Sequence, residues 1–329
     1  MAADCDEIIC IDEWRPDDSS YEKGYYPEGT REKAVYFSPG EIGNLPLRPQ
    51  WRYLFKKSRT RTPWQFWMEI IGYRVGQVMD VPVPPAYVGL SNREKPGQAV
   101  YGALIEWFYS QEERYIEGAR LIGPLIPGFD YKTGREHNLL TILTVPAFRK
   151  GPVAEENRRR LVDYWAEVLT FDTVIGNTDR HPENWGIVGP PEAKEGTVAV
   201  QLSPAFDNGT AMSYEQPEEH FSRFEDEQYT LRYLTKPRRA RHHMHWSLED
   251  QSDMNFFDFM RKLVREFPQT RESIVSRLQF SEADLRARLG GLPSVPVAEG
   301  WRLTPRRLDF TLSLIMKRAA LLRGAVEKA

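Results

Sequence analysis

The sequence has almost no cysteine: Cys5 and Cys10 are the only two. No disulfide framework can therefore organise it, and a reducing cytoplasm is the expected setting. It also lacks a long apolar run. Ile8-Ile9-Cys10-Ile11 near the start is bounded by acids on both sides, too short for a signal peptide or a membrane span, so no membrane partner is expected. Neither sign of charge dominates. Forty-four Lys and Arg against 47 Asp and Glu leave a formal net charge of −3, which gives no general drive toward nucleic acid or an anionic surface, and direct nucleic-acid binding is not expected. No repeat of 20–50 residues and no low-complexity tract stands out. What remains is a globular chain of 329 residues, long for a single core and suited to two lobes with a cleft between them.

The most informative stretch runs from Phe171 to Met212. Asp179 stands five residues before Asn184, strand-like segments follow, and a second acid, Asp207, closes the unit. In a phosphotransferase the first acid orients the attacking hydroxyl, the amide ligates a metal, and the later acid ties metals to phosphates. Mg²⁺ is hard and takes oxygen donors, which Asn184 and Asp207 supply as metal ligands. Taken alone, Asp207-Asn208-Gly209 is an ordinary turn tripeptide. In this order, across a hairpin, the two motifs point to Mg-ATP chemistry.

Upstream, Trp51–Lys56 reads as a strand ending on a basic residue. Alternation turns one of Lys56 and Lys57 toward the cleft and the other toward water, and Lys56 is the candidate for holding the α- and β-phosphates. Thr62-Pro63-Trp64-Gln65 then predicts a helix start with a near-complete capping box. Trp64, Met68, Ile71, Val75 and Val78 share its apolar face. Glu69 lies beside that face with Gly72 and Gly76 on its own stripe, so it needs a cationic partner or water. Lys56 is the expected one. Ala86–Leu90 and Ala99–Glu106 are expected to pair antiparallel, and the first lobe to close near residue 107.

At Asn177-Thr178-Asp179-Arg180-His181-Pro182-Glu183-Asn184 and Pro204-Ala205-Phe206-Asp207-Asn208-Gly209 the chain resembles the catalytic and metal-binding segments of the HipA-like kinases. Type II phosphatidylinositol 4-kinases carry a similar pattern. The resemblance covers about residues 24–270 and implies an α+β, two-lobed, protein-kinase-like fold: a strand-rich N-lobe over 1–107 and a helical C-lobe over 108–329. It implies ATP and Mg²⁺ as cofactors and a protein substrate phosphorylated on Ser or Thr. It also places Gly29, Thr30 and Lys33 at a phosphate-covering loop and Glu106 and Phe108 beside the adenine. His181, two after Asp179, stands where many protein kinases put a lysine that meets the γ-phosphate, and reads either as an imidazole doing similar work or as a structural histidine. His-Arg-Asp and Asp-Phe-Gly, both signatures of ordinary protein kinases, are missing. An antitoxin-type regulator is the partner this family implies, although the chain reads as too short at its start for HipA's extra N-terminal subdomain.

Two rival readings share the motif. A phosphoinositide kinase is one, but the cysteine cluster of the type II enzymes has no counterpart here and no basic amphipathic membrane helix is seen. A nucleotide-binding module without turnover is the other. Elsewhere, Glu155–Ile175 predicts a strong helix whose stripe ends on Asp172, an acid placed either to brace the catalytic loop or to face water. Residues 111–150 show no chemistry. The basic run from Lys236 to His245, with three histidines, reads as a solvated loop rather than a metal site.

Overall fold

The computed structural model describes residues 5–17, 32–93, 99–149, 154–190, 201–237, 239–250 and 254–329. Gly29 and Thr30 lie outside them. Among the described residues, the first lobe is a six-stranded sheet in the order β1-β5-β6-β4-β3-β2. Its strands are β1 (Ile8–Cys10), β2 (Arg15–Pro16), β3 (Lys33–Phe37), β4 (Arg52–Lys57), β5 (Ala86–Ser91) and β6 (Val100–Glu106). The short run Ile8–Cys10 pairs parallel to Val88–Leu90 at the sheet edge, and β5 and β6 form the expected antiparallel pair. One face of the sheet packs an aromatic layer around Tyr53, Phe55 and Tyr87. Alternation along β4 then puts Lys56 on the opposite face.

Helix α1 (Trp67–Met79) covers that other face, preceded by a 3₁₀ turn, Pro63–Phe66. The expected capping box does not form. The Thr62 hydroxyl meets the Gln65 side chain at 3.4 Å instead of a backbone amide, because Gln65 turns its own amide to the Gly209 carbonyl at 2.9 Å. Burial extends around most of α1, far beyond the five-residue stripe. The extra cover comes from distant sequence. Trp67 Nε1 donates to the Trp301 carbonyl at 2.7 Å, and Arg74 donates to the Arg288 and Cys5 carbonyls and to Asp6.

The second lobe follows α2 (Gly118–Ile122), α3 (Leu139–Ile142), α4 (Ala154–Ile175), α5 (Glu227–Thr235), α6 (Phe256–Glu266), α7 (Thr270–Arg277), α8 (Glu282–Leu289) and α9 (Pro305–Glu327). Thr304 and Pro305 start α9, the Thr304 hydroxyl accepting from Arg307 N at 3.0 Å. A small sheet in the order β7-β8-β9 belongs to the second lobe's sequence: β7 (Arg114–Glu117), β8 (Gly186–Gly189) and β9 (Gln201–Leu202). The β8–β9 hairpin is the predicted one, though β9 ends at Leu202 and Asp207 lies on the loop beyond instead of closing the hairpin. Strand β7 falls within residues 111–150, a stretch whose pattern suggests helix and loop but no strand. A large core runs through both lobes, from Trp67 and Ile71 to Trp165, Phe171 and Leu322.

His242 departs from the solvated loop expected of it. It is buried against Phe256 and Phe259, with ring centroids 4.7 and 5.2 Å away. Burial, with Arg180 nearby, pushes its imidazole down to about 3. Unfolded, the same group titrates near 6.5, so between those values only the unfolded chain takes up the proton and stability falls as pH drops. At pH 5 the loss from this residue is about 2 kcal/mol, taking 1.36 kcal/mol per unit over about 1.5 units. Thermal melts at pH 7.5 and 5.0 should show it: His242→Gln loses part of the wild-type drop, and equal drops in the two proteins would exclude this source.

Candidate active site

The end of α4 and the loop after it form one hydrogen-bonded unit. Asp172, buried in the last turns of α4, accepts from Arg180 Nε at 3.0 Å, Arg180 Nη2 at 2.8 Å and Asn177 Nδ2 at 3.1 Å. The bracing role was therefore the right one of its two readings. Burial raises the Asp172 carboxyl and Arg180 opposes the rise. Gly176, at φ +69°, makes the turn out of the helix with the Arg318 guanidinium occupying the space a Cβ would need.

Arg180 is the residue whose role the sequence did not show. Fully buried, it extends beyond Asp172 to the carbonyls of Asn184 (3.3 Å) and Phe206 and to Asn208 Oδ1 at 2.9 Å. One guanidinium thus joins the loop bearing Asp179 and Asn184 to the loop bearing Asp207. Asn184 is held from its other end as well, its Nδ2 donating to the Asp179 carbonyl at 2.8 Å. That bond leaves Asn184 Oδ1 without a hydrogen-bond partner among the described residues.

Across the cleft, Lys56 and Glu69 meet as expected. Lys56 Nζ lies 2.8 Å from Glu69 Oε1 and 2.5 Å from Asp207 Oδ1, so an ammonium from the sheet lobe touches an acid of the helical lobe. Lys57 faces the other way and pairs with Glu32 at 3.0 Å. Asp207 has φ 57°, a left-handed turn that Asp adopts more readily than most residues. The following amide, Asn208 N, then donates to Glu69 Oε2 at 2.8 Å. Gly72 makes room for this contact, since a Cβ there would come 3.1 Å from Asn208 Cβ. Lys56, Glu69, Asn208, Arg180 and Asp172 therefore form one continuous chain of polar contacts between the lobes.

Asp179 stands at the edge of this chain, Thr210 Oγ1 lying 3.5 Å from its Oδ2. Burial raises its carboxyl and the charge of Asp207 adds to the rise, against His181 and Lys56. Raised basicity suits a proton acceptor. Beside Asp179 opens a cavity of about 210 Å³, lined by residues 131–134, His181 and His243 among others. His181 also sits 3.6 Å from Glu183.

The remaining candidates are less central. Lys33 is directly opposite Lys56 in the β3–β4 pairing, hence on the same face of the sheet. The Glu106 carboxylate is turned to the aromatic side of the sheet, accepting from the Tyr53 hydroxyl at 3.1 Å with Arg48 at 3.7 Å, so only its backbone can serve a base in the cleft. Register explains this: Glu106 is opposite Tyr53, and paired residues share a face. Phe108 stacks on Phe206, the neighbour of Asp207, with centroids 5.1 Å apart.

The oxygens of Asp207 and Asn184, with Asp179 close by, are the hard donors that a cation such as Mg²⁺ takes. The open Oδ1 of Asn184 fits that use. Among the described residues no group of three or more His, Cys, Asp and Glu side chains is placed to hold a metal by itself. A site here would be completed by substrate oxygens and water, the usual state for Mg²⁺.

No protein-family model matches the chain, and no curated protein matches it. Solved structures do. The crystal structure of the Helicobacter pylori proinflammatory kinase CtkA superposes with a TM-score of 0.72 at 14% identity, over 98% of this chain and 99% of that one. HipA of Shewanella oneidensis MR-1, solved in a toxin–antitoxin complex with HipB and operator DNA, reaches a TM-score of 0.49 at 13% identity, over 96% of this chain and 73% of that one. At such identities the likeness concerns the fold, and the α+β, kinase-type fold implied by the motifs is the fold of this molecule.

Proposed function

We propose that this kinase-type fold works as an ATP-dependent phosphotransferase, a HipA-like Ser/Thr protein kinase that moves the γ-phosphoryl of Mg-ATP to a protein hydroxyl. The observation that carries the reading is the meeting of Lys56, Glu69 and Asp207, an ammonium held between two carboxylates from opposite lobes, next to an acid of raised pKa. Such an arrangement concentrates charge where a polyphosphate would lie, and catalysis of phosphoryl transfer is mostly positioning and electrostatics.

In this reading Asp179 orients the acceptor hydroxyl and takes its proton. Lys56 neutralises phosphate charge, Glu69 fixes the direction of the ammonium, and Arg180 keeps the two loops of the lower lobe in register. Asn184 and Asp207 hold the divalent cation, which would supply charge neutralisation on the transferring group. Among the described residues no helix is long and apolar enough to cross a membrane, and a cytoplasmic protein acceptor goes with the reading. An antitoxin-type regulator enters it only through the sequence resemblance.

Calorimetric titration with an ATP analogue tests the metal half. Wild type should bind tightly with Mg²⁺ and weakly without it. Asp207→Ala should bind about tenfold or more weakly with Mg²⁺ and show little metal dependence. Wild-type binding indifferent to Mg²⁺, or no binding, would overturn the assignment, and label from γ-labelled ATP appearing on lipid vesicles but on no protein would overturn the acceptor class.

A further inference from the structure

Asp179 has two neighbourhoods. On one side are Thr210 and the Asp207 loop; on the other it forms part of the wall of the cavity of about 210 Å³. A group that must contact donor and acceptor together is expected at such a junction. With the donor assigned to the Lys56–Asp207 side, the cavity is left for the acceptor.

The outer wall of the cavity is built rather than loose. The Asp130 carboxylate accepts from Lys132 N at 3.0 Å, Thr133 N at 3.3 Å and Thr133 Oγ1 at 2.6 Å. Gly134 N donates to the Asp130 carbonyl at 2.7 Å and its own carbonyl receives His137 N at 3.0 Å. Gly134 has φ +56° and its missing Cβ would lie 2.6 Å from the Pro182 ring, so this loop is seated directly on the catalytic loop and only glycine fits there. Residues 130–134 are thus held by their own hydrogen bonds against the residue two after Arg180.

The acidic, basic and imidazole groups in the lining are Lys132, Asp179, His181, Glu183 and His243. Asp179 is the assigned base and Glu183 stands beside His181; behind the wall, Asp130 lies 3.5 Å from Arg135. Lys132 is exposed, and its ammonium has no partner among the described residues. His243 Nδ1 is buried with no hydrogen-bond partner, leaving one polar contact open in the lining. A volume equal to about seven waters accepts a side chain with its flanking backbone and little more.

Resting on the kinase reading above, we propose that this cavity seats the acceptor residue of a protein substrate, and that Lys132 selects an acidic residue next to the acceptor hydroxyl. The complementarity is electrostatic and lies at the rim, so it sets preference more than total affinity.

Two serine peptides differing only in an acidic or a basic residue beside the serine supply the test, with transfer from γ-labelled ATP as readout. Wild type should prefer the acidic peptide about tenfold in kcat/KM. Lys132→Glu, a substitution at an exposed position, should melt like wild type and reverse the preference. Equal use of the two peptides by wild type, or an unchanged ratio in Lys132→Glu, overturns the assignment of Lys132. Absence of label on every acceptor with wild type is the separate result that overturns the kinase reading, and this inference falls with it.

Discussion

Asp179→Ala is expected to lower phosphoryl transfer by about 10²–10⁴-fold, the usual range for removing a positioned general base, while nucleotide affinity stays within a few-fold of wild type. The two effects separate because of where the residue lies. Its carboxylate faces Thr210 and the cavity, while the contacts that join the lobes run through Lys56, Glu69 and Asn208. Removing it leaves that chain intact. Single-turnover transfer beside analogue titration measures both quantities, and transfer within tenfold of wild type would mean that another group takes the proton. Asp179→Asn adds a discriminating arm: the shape is kept and the base is lost, so its rate should match that of the alanine variant.

The largest stability effect is expected at Arg180. Arg180→Ala strands the fully buried Asp172 carboxylate, and breaking a buried pair in this way costs about 3–5 kcal/mol. Replacing both partners should be milder, so Arg180→Ala combined with Asp172→Asn should recover part of the loss. The pH dependence has a definite sign. Burial already raises Asp172 even beside its arginine; without the arginine the folded-state pKa rises further. The folded variant then holds a proton that the unfolded chain releases, so its deficit relative to wild type shrinks as pH falls. Denaturant midpoints at pH 7.5 and 5.5 measure this, and a deficit that does not change with pH would place the damage outside the ion pair. The double variant should stay inactive, because neither replacement restores the bonds to Phe206 and Asn208.

Lys56, Glu69, Asp179, Asn184 and Asp207 stand out as candidates in the sequence because each is a polar residue whose neighbours make water an unsatisfactory home or whose spacing matches metal and phosphate chemistry. Strand alternation and a helix period bring Lys56 or Lys57 and Glu69 into consideration together, and the lysine–glutamate pairing of kinases singles out Lys56. Arg180 could not be assigned in the same way. An arginine in a polar loop looks solvated until the elements that enclose it are in place, and Asp172 lies on the helix before it while Phe206 and Asn208 lie on a loop more than twenty residues after it. The loop at 130–135 was missed for a related reason: its order rests on Asp130 bonding to its own neighbours, a pattern without hydrophobic period. The orientation of Glu106 depended on register with Tyr53, which no local pattern supplies.

The wrapping of α1 has a mechanical corollary. Trp301 and Arg288, both near the far end of the chain, hold the helix that carries Glu69, and Asp6 near the other end grips the same Arg74. A jaw-like opening in which sheet and helix swing away together would tear the bonds to Trp301 and Arg288. The low-strain motion leaves the helix fastened below and lets the sheet slide over it, shifting Lys56 past a stationary glutamate. Admission of a nucleotide would then be governed by shear along one buried seam, and the two ends of the polypeptide would set its stiffness.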